Sequence, residues 1–493
     1  MSPSLIVLAA VFVIAIALAL LARRGHVMTL EQWSVGGRGF GSIFVFLLMA
    51  GEIYTTFTFL GGSGWAYGKG APALYILCYG AIAYSLSYFL LPVIWRYAQA
   101  RRLVSQADFF VAKYESRALG VLVAVVSVAA LVPYLVLQLK GLGIIVSEAS
   151  YGAISPVAAV WGGTLALTGY VVISGVRGSA WTAALKDGMI LVVAVAIGIY
   201  LPRHYFGGYA AMFEAIDRAK PGLLTLPGTG MSPAWFISTV LLTSLGFYMW
   251  PQFFAGAYTA RNEAVFRKNA VMLPIYQLVI LFVFFVGFAA TLTVPGLVGA
   301  DADLALFRIV KLAFGPWVVG LIGGAGLLTA LVPGSMILIT AATILAKNVY
   351  RVFVPAASDH AVSVVARGLV PVLALLSLLL TLRGGQALVA LLLMAYNVVT
   401  QLFPALVLSL GRVPRVSALA AAAGIIAGEL TVATVTIAGV SVASLVPSAP
   451  QVVKDLNVGI VALVVNIAVI AIVSLVSRPP LARADSTRIV RAG

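Results

Sequence analysis

Apolar residues run along this chain in long blocks of about 20, and short polar stretches separate the blocks. About 20 helical residues, rising 1.5 Å each, cross a hydrocarbon core of roughly 30 Å. The alternation typical of β-strands is absent from the sequence, which excludes a membrane β-barrel. The pattern predicts an all-α membrane protein with about thirteen spanning helices, α1 to α13, at 4–22, 40–67, 72–97, 117–146, 155–174, 179–201, 232–257, 269–294, 313–346, 362–382, 386–410, 414–439 and 456–477.

Composition and charge support this class. The chain is 62% hydrophobic and only 9% charged, whereas soluble domains carry about 25% charged residues. The net charge of +16 would suit a nucleic acid, but 21 of the 31 lysines and arginines fall in loops on one side of the predicted topology and eight on the other. This bias predicts an inner (plasma) membrane protein with its N-terminus outside, a basic cytoplasmic tail at 478–493 and no nucleic-acid partner. Because Arg23 and Arg24 follow α1 directly and no cleavage site precedes them, we expect α1 to be retained.

Few residues are suited to enzyme or metal chemistry. The single cysteine, Cys78, lies in an apolar block, and His26, His204 and His360 fall in separate predicted loops. The sequence contains no HExxH, GxSxG or Walker A motif. We therefore expect no enzyme activity, no cofactor and no metal centre. A membrane sensor or scaffold is another class to consider, but the tail after residue 477 is short and carries no signalling domain.

Two of the predicted helices are interrupted by polar residues, glycine or proline. In α2 a polar run from Glu52 to Thr58 precedes a glycine-rich stretch, and in α7 the run from Gly246 to Gln252 contains Pro251. The two helices are five apart, so each begins a five-helix block, and the odd number inverts the second block relative to the first. Paired broken helices mark the binding site of many transporters. The alternative is that Gly and Pro are simply common in membrane helices.

Four ionisable residues are predicted at membrane depth, where a charge costs about 2.5–3.5 kcal/mol. They are Glu52 in α2, Lys140 in α4, Lys186 in α6 and Glu429 in α12; Asp187 points about 100° away from Lys186. One hypothesis is that Glu52 and Lys186 face one cavity and that one of them carries a coupling proton. The alternative is a static ion pair joining α2 to α6. Lys140 is expected either to bind the substrate or to extend its side chain to the membrane interface. Glu429 lies outside both blocks and is expected to be structural.

Segments 36–70, 175–189, 246–276 and 329–351 resemble the solute:sodium symporter (SSS) family. The stretches EIYTTFTF (52–59) and RKNAVMLPIY (267–276) are most similar to its bacterial monocarboxylate permease branch. The resemblance implies one transporter domain, 1–477, with a LeuT-like fold that works by alternating access. Its two inverted repeats would be α2–α6 (about 40–201) and α7–α11 (about 232–410), flanked by α1, α12 and α13.

The resemblance also implies a sodium site, which this chain lacks in part. The family takes backbone oxygens matching Gly51 and Tyr54, an oxygen from Thr329, and two α9 hydroxyls at the positions of Val332 and Pro333 here. Valine and proline side chains offer no oxygen, so we predict a degenerate sodium site. The family's acidic residue on α6 aligns with Ala183, and Lys186 follows one turn later on the same face. A lysine ammonium could replace the cation there.

The resemblance places substrate contacts at the break in α2, on α4 and on α7. The candidates are Tyr54, Thr55, Thr56, Thr58, Gln138, Lys140, Tyr248, Trp250 and Gln252. Hydroxyls and exposed N–H groups at half-helix ends can hold a carboxylate, whereas Tyr248 and Trp250 could equally be packing residues. We therefore expect a monomeric symporter in the lipid bilayer that imports a small organic anion, a monocarboxylate, coupled to H⁺ rather than Na⁺. The alternative is a Na⁺-coupled symporter of an amino acid, sugar or other small solute.

Overall fold

The computed structural model describes residues 2–25, 28–440 and 442–477. Within these ranges the regular secondary structure is helical, except for one isolated parallel bridge between Phe40 and Ala260. The predictions made for His26 and for the basic tail 478–493 lie outside the described residues.

Ten helices in the described ranges are long and apolar enough to cross a membrane, and each coincides with predicted spans. They are Pro3–Arg23, Ala71–Arg101, Arg117–Ala149, Pro156–Phe206, Ala264–Thr293, Pro316–Phe353, Asp359–Arg383, Leu388–Ser409, Ala418–Ala438 and Val458–Val476. The two predicted broken helices, α2 and α7, complete the set, because Pro156–Phe206 contains both α5 and α6. The chain is a multi-pass membrane protein, whereas the number of crossings and their orientation stay predictions.

The junction between α5 and α6 depends on Gly175. This residue alone departs from helical geometry within Pro156–Phe206, with φ 57° and ψ −160°. Positive φ of this kind is accessible to glycine at little cost. A side chain at this position would also lie within 2.7 Å of Trp33, so α5 and α6 can join so closely only at a glycine.

Both α2 and α7 are broken near their middle, as the sequence predicts. In α2, the helix Ser42–Gly51 stops and helical geometry resumes with the π-helical turn Phe57–Gly61, which continues into Gly62–Lys69. In α7, Pro233–Gly246 ends in a 3-10 turn, and a new helix starts at Pro251. Two backbone bonds tie the first half of α2 to the end of α7: Phe40 N–H donates to Thr259 O at 2.9 Å, and Arg261 N–H donates to Phe40 O at 3.0 Å.

Some predicted boundaries are wrong by a few residues. α9 continues past 346 to Phe353, because the π-helical turn Leu345–Tyr350 carries the helix on. α8 starts at Ala264 rather than at 269, within a polar stretch. Short helices connect the spans at Leu30–Val35, Gln106–Tyr114, Tyr209–Ala219 and Ala305–Ala313, the last preceded by the 3-10 turn Gly299–Leu304.

The centre of the molecule is α9, in which every residue from Ile322 to Ile344 is buried. It packs against α1, α4 and the continuous helix of α5 and α6, while α3 packs against α7 and α8. The second half of α2 packs against α8, and α12 pairs with α13. The breaks in α2 and α7 therefore lie deep in the bundle, between α9 and the group formed by α3 and α8.

Candidate ion and substrate site at the two broken helices

The break in α2 is held together by its own threonines. After Gly51, Ile53 N–H donates to Ala50 O at 2.9 Å, and no regular helical ladder follows until Phe57. The Thr58 hydroxyl donates to Ile53 O at 2.8 Å and accepts from Thr55 N–H at 3.0 Å. Thr55 Oγ1 accepts from Phe57 N–H at 3.2 Å. Backbone groups inside a membrane protein need such partners, so two of the predicted substrate-binding hydroxyls serve the backbone in this state.

The first notable site is an oxygen cage around Lys186. Its ammonium donates to Gly51 O at 2.7 Å and Tyr54 O at 3.1 Å, and it forms an ion pair with Asp187 Oδ1 at 2.9 Å. The Lys186 side chain is fully buried and Asp187 is only 5% exposed. These short charge-assisted contacts join α6 to the point where α2 stops being helical.

The position where the family takes sodium oxygens from α9 is apolar. A side chain added at Gly51 would meet Lys186 Nζ at 3.6 Å, Val332 Cγ1 at 3.7 Å and Ala183 Cβ at 3.8 Å. The nearby α9 hydroxyls are committed elsewhere: Thr329 donates to Gly326 O at 2.6 Å, and Ser335 donates to Val332 O at 2.6 Å. Pro333 has no hydroxyl or N–H to contribute.

Glu52 lies beside this cage but belongs to a second polar group. Gln252 Nε2, from the second half of α7, donates to Glu52 Oε2 at 3.4 Å. Glu52 Oε1 and Gln252 Oε1 are buried without a hydrogen-bond partner. Among the described residues no ion pair within 4.0 Å joins Glu52 to Lys186, so the carboxylate that pairs with the lysine is that of Asp187.

A third contact joins α4 to the same break. The Thr56 hydroxyl donates to Gln138 Oε1 at 2.9 Å, and both side chains are completely buried. The amide nitrogen Gln138 Nε2 has no partner. One hydrogen-bond donor on α4 is therefore left free beside the break.

The break in α7 is stabilised from a short connecting helix. Trp250 has extended geometry, with φ −64° and ψ 125°, between the 3-10 turn and Pro251. Gln106, in the connecting helix, donates through Nε2 to Met249 O at 2.6 Å. Ser127 of α4 donates to Gln106 Oε1 at 2.9 Å. Gln106 therefore supplies the partner that a carbonyl oxygen at the helix break needs.

Aromatic rings enclose the region between the breaks. The Trp250 ring lies 4.9 Å from the Tyr134 ring of α4 and 5.3 Å from the Tyr396 ring of α11, measured between centroids. Tyr248 packs against Phe253 at 5.5 Å, and its hydroxyl has no partner. Trp250 therefore lies at a junction of α4, α7 and α11.

Two predicted residues lie apart from these groups. Lys140 is only partly buried, and its ammonium donates to Gln386 O in the connection between α10 and α11. Glu429 lies on α12, which packs mainly on α13. Sequence reasoning missed Asp187 as the partner of Lys186, and it missed Gln106 and Tyr134 altogether. The only signal for Asp187 was a second charge at membrane depth.

Comparison with known proteins gives consistent matches. The model of the sodium:solute symporter family matches residues 33–428. The uncharacterized symporter YhjB of Bacillus subtilis is 59% identical over 97% of this chain and 98% of its own length. A monocarboxylate transport permease protein of Rhizobium johnstonii is 29% identical over 69% of this chain and 68% of its own length.

A solved structure of a Na⁺-coupled sialic acid symporter matches the fold. It has a TM-score of 0.78 at 16% sequence identity, covering 97% of this chain and 98% of that one. This likeness confirms the predicted LeuT-like arrangement of two inverted five-helix repeats, α2–α6 and α7–α11, with α2 and α7 broken.

Proposed function

Because this chain belongs to the sodium:solute symporter family, we propose that it imports a small organic anion, a monocarboxylate, together with a proton. Members of this family are transporters rather than enzymes. The proposal places the protein in the inner membrane with its N-terminus outside. It rests on one observation: an ammonium group of the chain itself binds the two backbone oxygens expected to bind sodium.

The contacts of Lys186 favour proton over sodium coupling. A sodium ion needs several oxygen ligands, yet Gly51 O and Tyr54 O already accept from Lys186, and Val332 offers none. The ammonium delivers one positive charge to the same oxygens. A sodium ion could reach them only after Lys186 had withdrawn.

A change in the oxygen contacts of Lys186 would lead to binding or release of the coupling proton. Alternating access requires the half of α2 that ends at Gly51 to move relative to α6. When the two α2 carbonyls separate from Lys186 while Asp187, its neighbour on α6, stays beside it, the buried ammonium loses two of its three oxygen partners, which favours release of the proton. Binding and release of one proton would then follow opening to the two sides of the membrane.

A monocarboxylate fits the remaining groups. The named permease relative acts on monocarboxylates by its description, and Gln138 Nε2 is a free donor beside the break in α2. A monocarboxylate anion and a proton together carry no net charge, so a pH gradient alone can drive uptake.

Uptake into proteoliposomes tests this proposal. The purified protein is reconstituted and given labelled lactate, pyruvate or acetate under an imposed pH gradient without sodium, or a sodium gradient without a pH difference. We expect accumulation only with the pH gradient, abolished by a protonophore. Uptake that needs sodium and ignores pH would overturn proton coupling, and absence of uptake for every acid would overturn the substrate class.

A further inference from the structure

Several buried polar atoms near the two breaks have no hydrogen-bond partner. Among them are Glu52 Oε1, Gln252 Oε1, Gln138 Nε2 and the Tyr248 hydroxyl. Their side chains are at most 7% exposed, so bulk water does not satisfy them. Burying a polar atom without a partner is unfavourable, and several such atoms in one region indicate groups that a ligand completes.

From these atoms we propose that the transported carboxylate carries a hydrogen-bond donor, a hydroxyl or an ammonium group, on the carbon next to its carboxyl group. This inference rests on the proposed function and specifies its substrate class. One free donor, Gln138 Nε2, suits the carboxylate. The two free acceptors, Glu52 Oε1 and Gln252 Oε1, require a donor from the solute.

The two acceptors form one unit. Gln252 donates through Nε2 to Glu52 Oε2 at 3.4 Å. The reversed amide would place its oxygen against the carboxylate, so the hydrogen bond fixes Gln252 Oε1 as an acceptor. The other carboxylate oxygen, Glu52 Oε1, belongs to the same pair of side chains. A solute hydroxyl or ammonium group could therefore donate to both oxygens.

The side chains of the donor and the acceptors contact or belong to the same short break in α2. Glu52 and Thr56 are four residues apart, a distance of at most about 13 Å along extended chain. The Thr56 hydroxyl donates to the amide oxygen of Gln138 at 2.9 Å. The Tyr134 ring of α4 packs on Trp250 at 4.9 Å beside this break.

The site should distinguish acids of equal size by the group on the carbon next to the carboxyl group. A 2-oxo acid turns a carbonyl oxygen toward two acceptor oxygens, and an unsubstituted acid leaves both without a partner. Sites built to bind a hydroxyl or amino group discriminate strongly against analogues that lack it. We expect a preference of about tenfold or more for the donor-bearing acid.

Binding of four three-carbon acids to the purified full-length protein tests the inference. Thermal-shift titration with lactate, alanine, propionate and pyruvate at one fixed pH gives apparent Kd values without an imposed ion gradient. We expect lactate, alanine or both to bind at least tenfold more tightly than propionate and pyruvate. Preference for lactate would identify a hydroxyl as the donor, and preference for alanine an ammonium group.

A pair of matched variants ties the preference to Glu52. Glu52→Gln replaces one acceptor oxygen by a donor, so we expect the preference to fall below threefold. Glu429→Gln makes the same change in α12, away from the site, and should keep the wild-type preference. If Glu52→Gln does not fold, the wild-type series alone decides.

The outcomes separate this inference from the proposed function. Propionate and pyruvate binding within threefold of both lactate and alanine would overturn the requirement for a donor while leaving a monocarboxylate carrier intact. An undiminished preference in a folded Glu52→Gln variant would also overturn it. Absence of binding for all four acids would overturn the proposed substrate class itself.

Discussion

The ammonium nitrogen of Lys186 lies 2.7 Å from the carbonyl oxygen of Gly51, at the residue where α2 stops being helical. The same carbonyl is one that the family resemblance assigns to sodium. Because Lys186 is fully buried and also contacts Asp187, its charge is held by α6 and by the unwound part of α2. The chain itself therefore supplies a positive charge at the position that the resemblance assigns to sodium.

Replacement of Lys186 by glutamine should abolish uptake driven by a pH gradient. Glutamine can still donate to Gly51 O, but its amide group has no proton that it can exchange during transport. We expect a decrease of at least tenfold, measured as labelled monocarboxylate uptake into proteoliposomes. Lys268→Gln, exposed on α8, is the control and should behave as wild type. Unchanged pH-driven uptake in the Lys186 variant would reduce this lysine to a structural residue.

The double variant Lys186→Ala, Val332→Ser should create a response to sodium. Removing the ammonium frees Gly51 O and Tyr54 O, and the new hydroxyl on α9 adds a ligand near Gly51. Unwound carbonyls of this kind coordinate sodium in related folds. We expect sodium chloride to raise the Tm by several degrees over choline chloride, whereas the wild-type Tm should be the same in both salts. A variant that folds but ignores sodium would contradict this prediction.

The broken helices could be predicted because their signals are local. A polar run in an apolar block, and a proline after glycine and aromatic residues, disturb a pattern that is otherwise regular. The position of Lys186 opposite Gly51 followed from the family resemblance together with a charge at membrane depth. These features can be recognised from neighbouring residues in the sequence or from the pattern of a known family.

Other features of the site depend on contacts that no local pattern encodes. Gln106 reaches Met249 O across 143 residues of sequence. Asp187 was expected to point away from Lys186, since consecutive helical residues diverge by about 100°. The long lysine side chain is flexible enough to bring its ammonium to 2.9 Å from that carboxylate, which the spacing of Cα atoms does not predict.

Replacement of Gln106 by leucine should weaken the α7 break. Met249 O would lose its partner in a buried site, at a cost of roughly 1–3 kcal/mol, so we expect a lower Tm and slower uptake. Gln277→Leu is a matched control, because Gln277 Nε2 of α8 donates to Ile76 O of α3 at 3.0 Å, a bond that involves neither broken helix. It should lose similar stability but keep its uptake rate relative to folded protein. Equal loss of uptake in both variants would show that the Gln106 contact has no special role in transport.

Asp108, in the connecting helix Gln106–Tyr114, anchors that helix to the end of α9. Its carboxylate accepts from Lys347 at 2.7 Å and from Asn348 at 2.8 Å. Burial alone would raise the pKa of Asp108, but Lys347 and the hydrogen bonds outweigh it and hold the pKa below its ordinary value. The stability that this group contributes is therefore present above its ordinary pKa and is lost as the pH falls through the lowered value.

We expect Asp108→Asn to lower the free energy of unfolding by roughly 1–3 kcal/mol at pH 7, because Lys347 loses its ion pair partner. The matched control is Asp359→Asn, whose pair with Arg351 at 2.7 Å is largely exposed and should contribute less than about 1 kcal/mol. Thermal unfolding in detergent measures both. A smaller decrease for Asp108→Asn than for Asp359→Asn would contradict the anchoring role.

Asp303 should make stability depend on pH in the opposite sense. It lies in the 3-10 turn Gly299–Leu304, beside the second half of α2, and its Oδ2 accepts from Leu388 N–H at 3.0 Å at the start of α11. Burial raises the pKa of Asp303 to about 6, although the Leu388 N–H and Lys140 act against it. The protonated form is favoured in the folded protein, so the stabilising effect is complete below the ordinary pKa of 3.8 and decreases as the pH rises to about 6.

Asp303→Asn imitates the neutral carboxyl and should remove this dependence. Its amide oxygen can still accept from Leu388 N–H, and no charge is buried at any pH. Relative to wild type, the variant should therefore gain about 1 kcal/mol in the free energy of unfolding between pH 5 and pH 7, since one pKa unit corresponds to about 1.4 kcal/mol. Thermal unfolding at the two pH values measures this difference, with Asp217→Asn on the exposed helix Tyr209–Ala219 as the control. A variant whose stability relative to wild type is the same at both pH values would show that Asp303 is ionised throughout, and its turn would then hold a buried charge against α11.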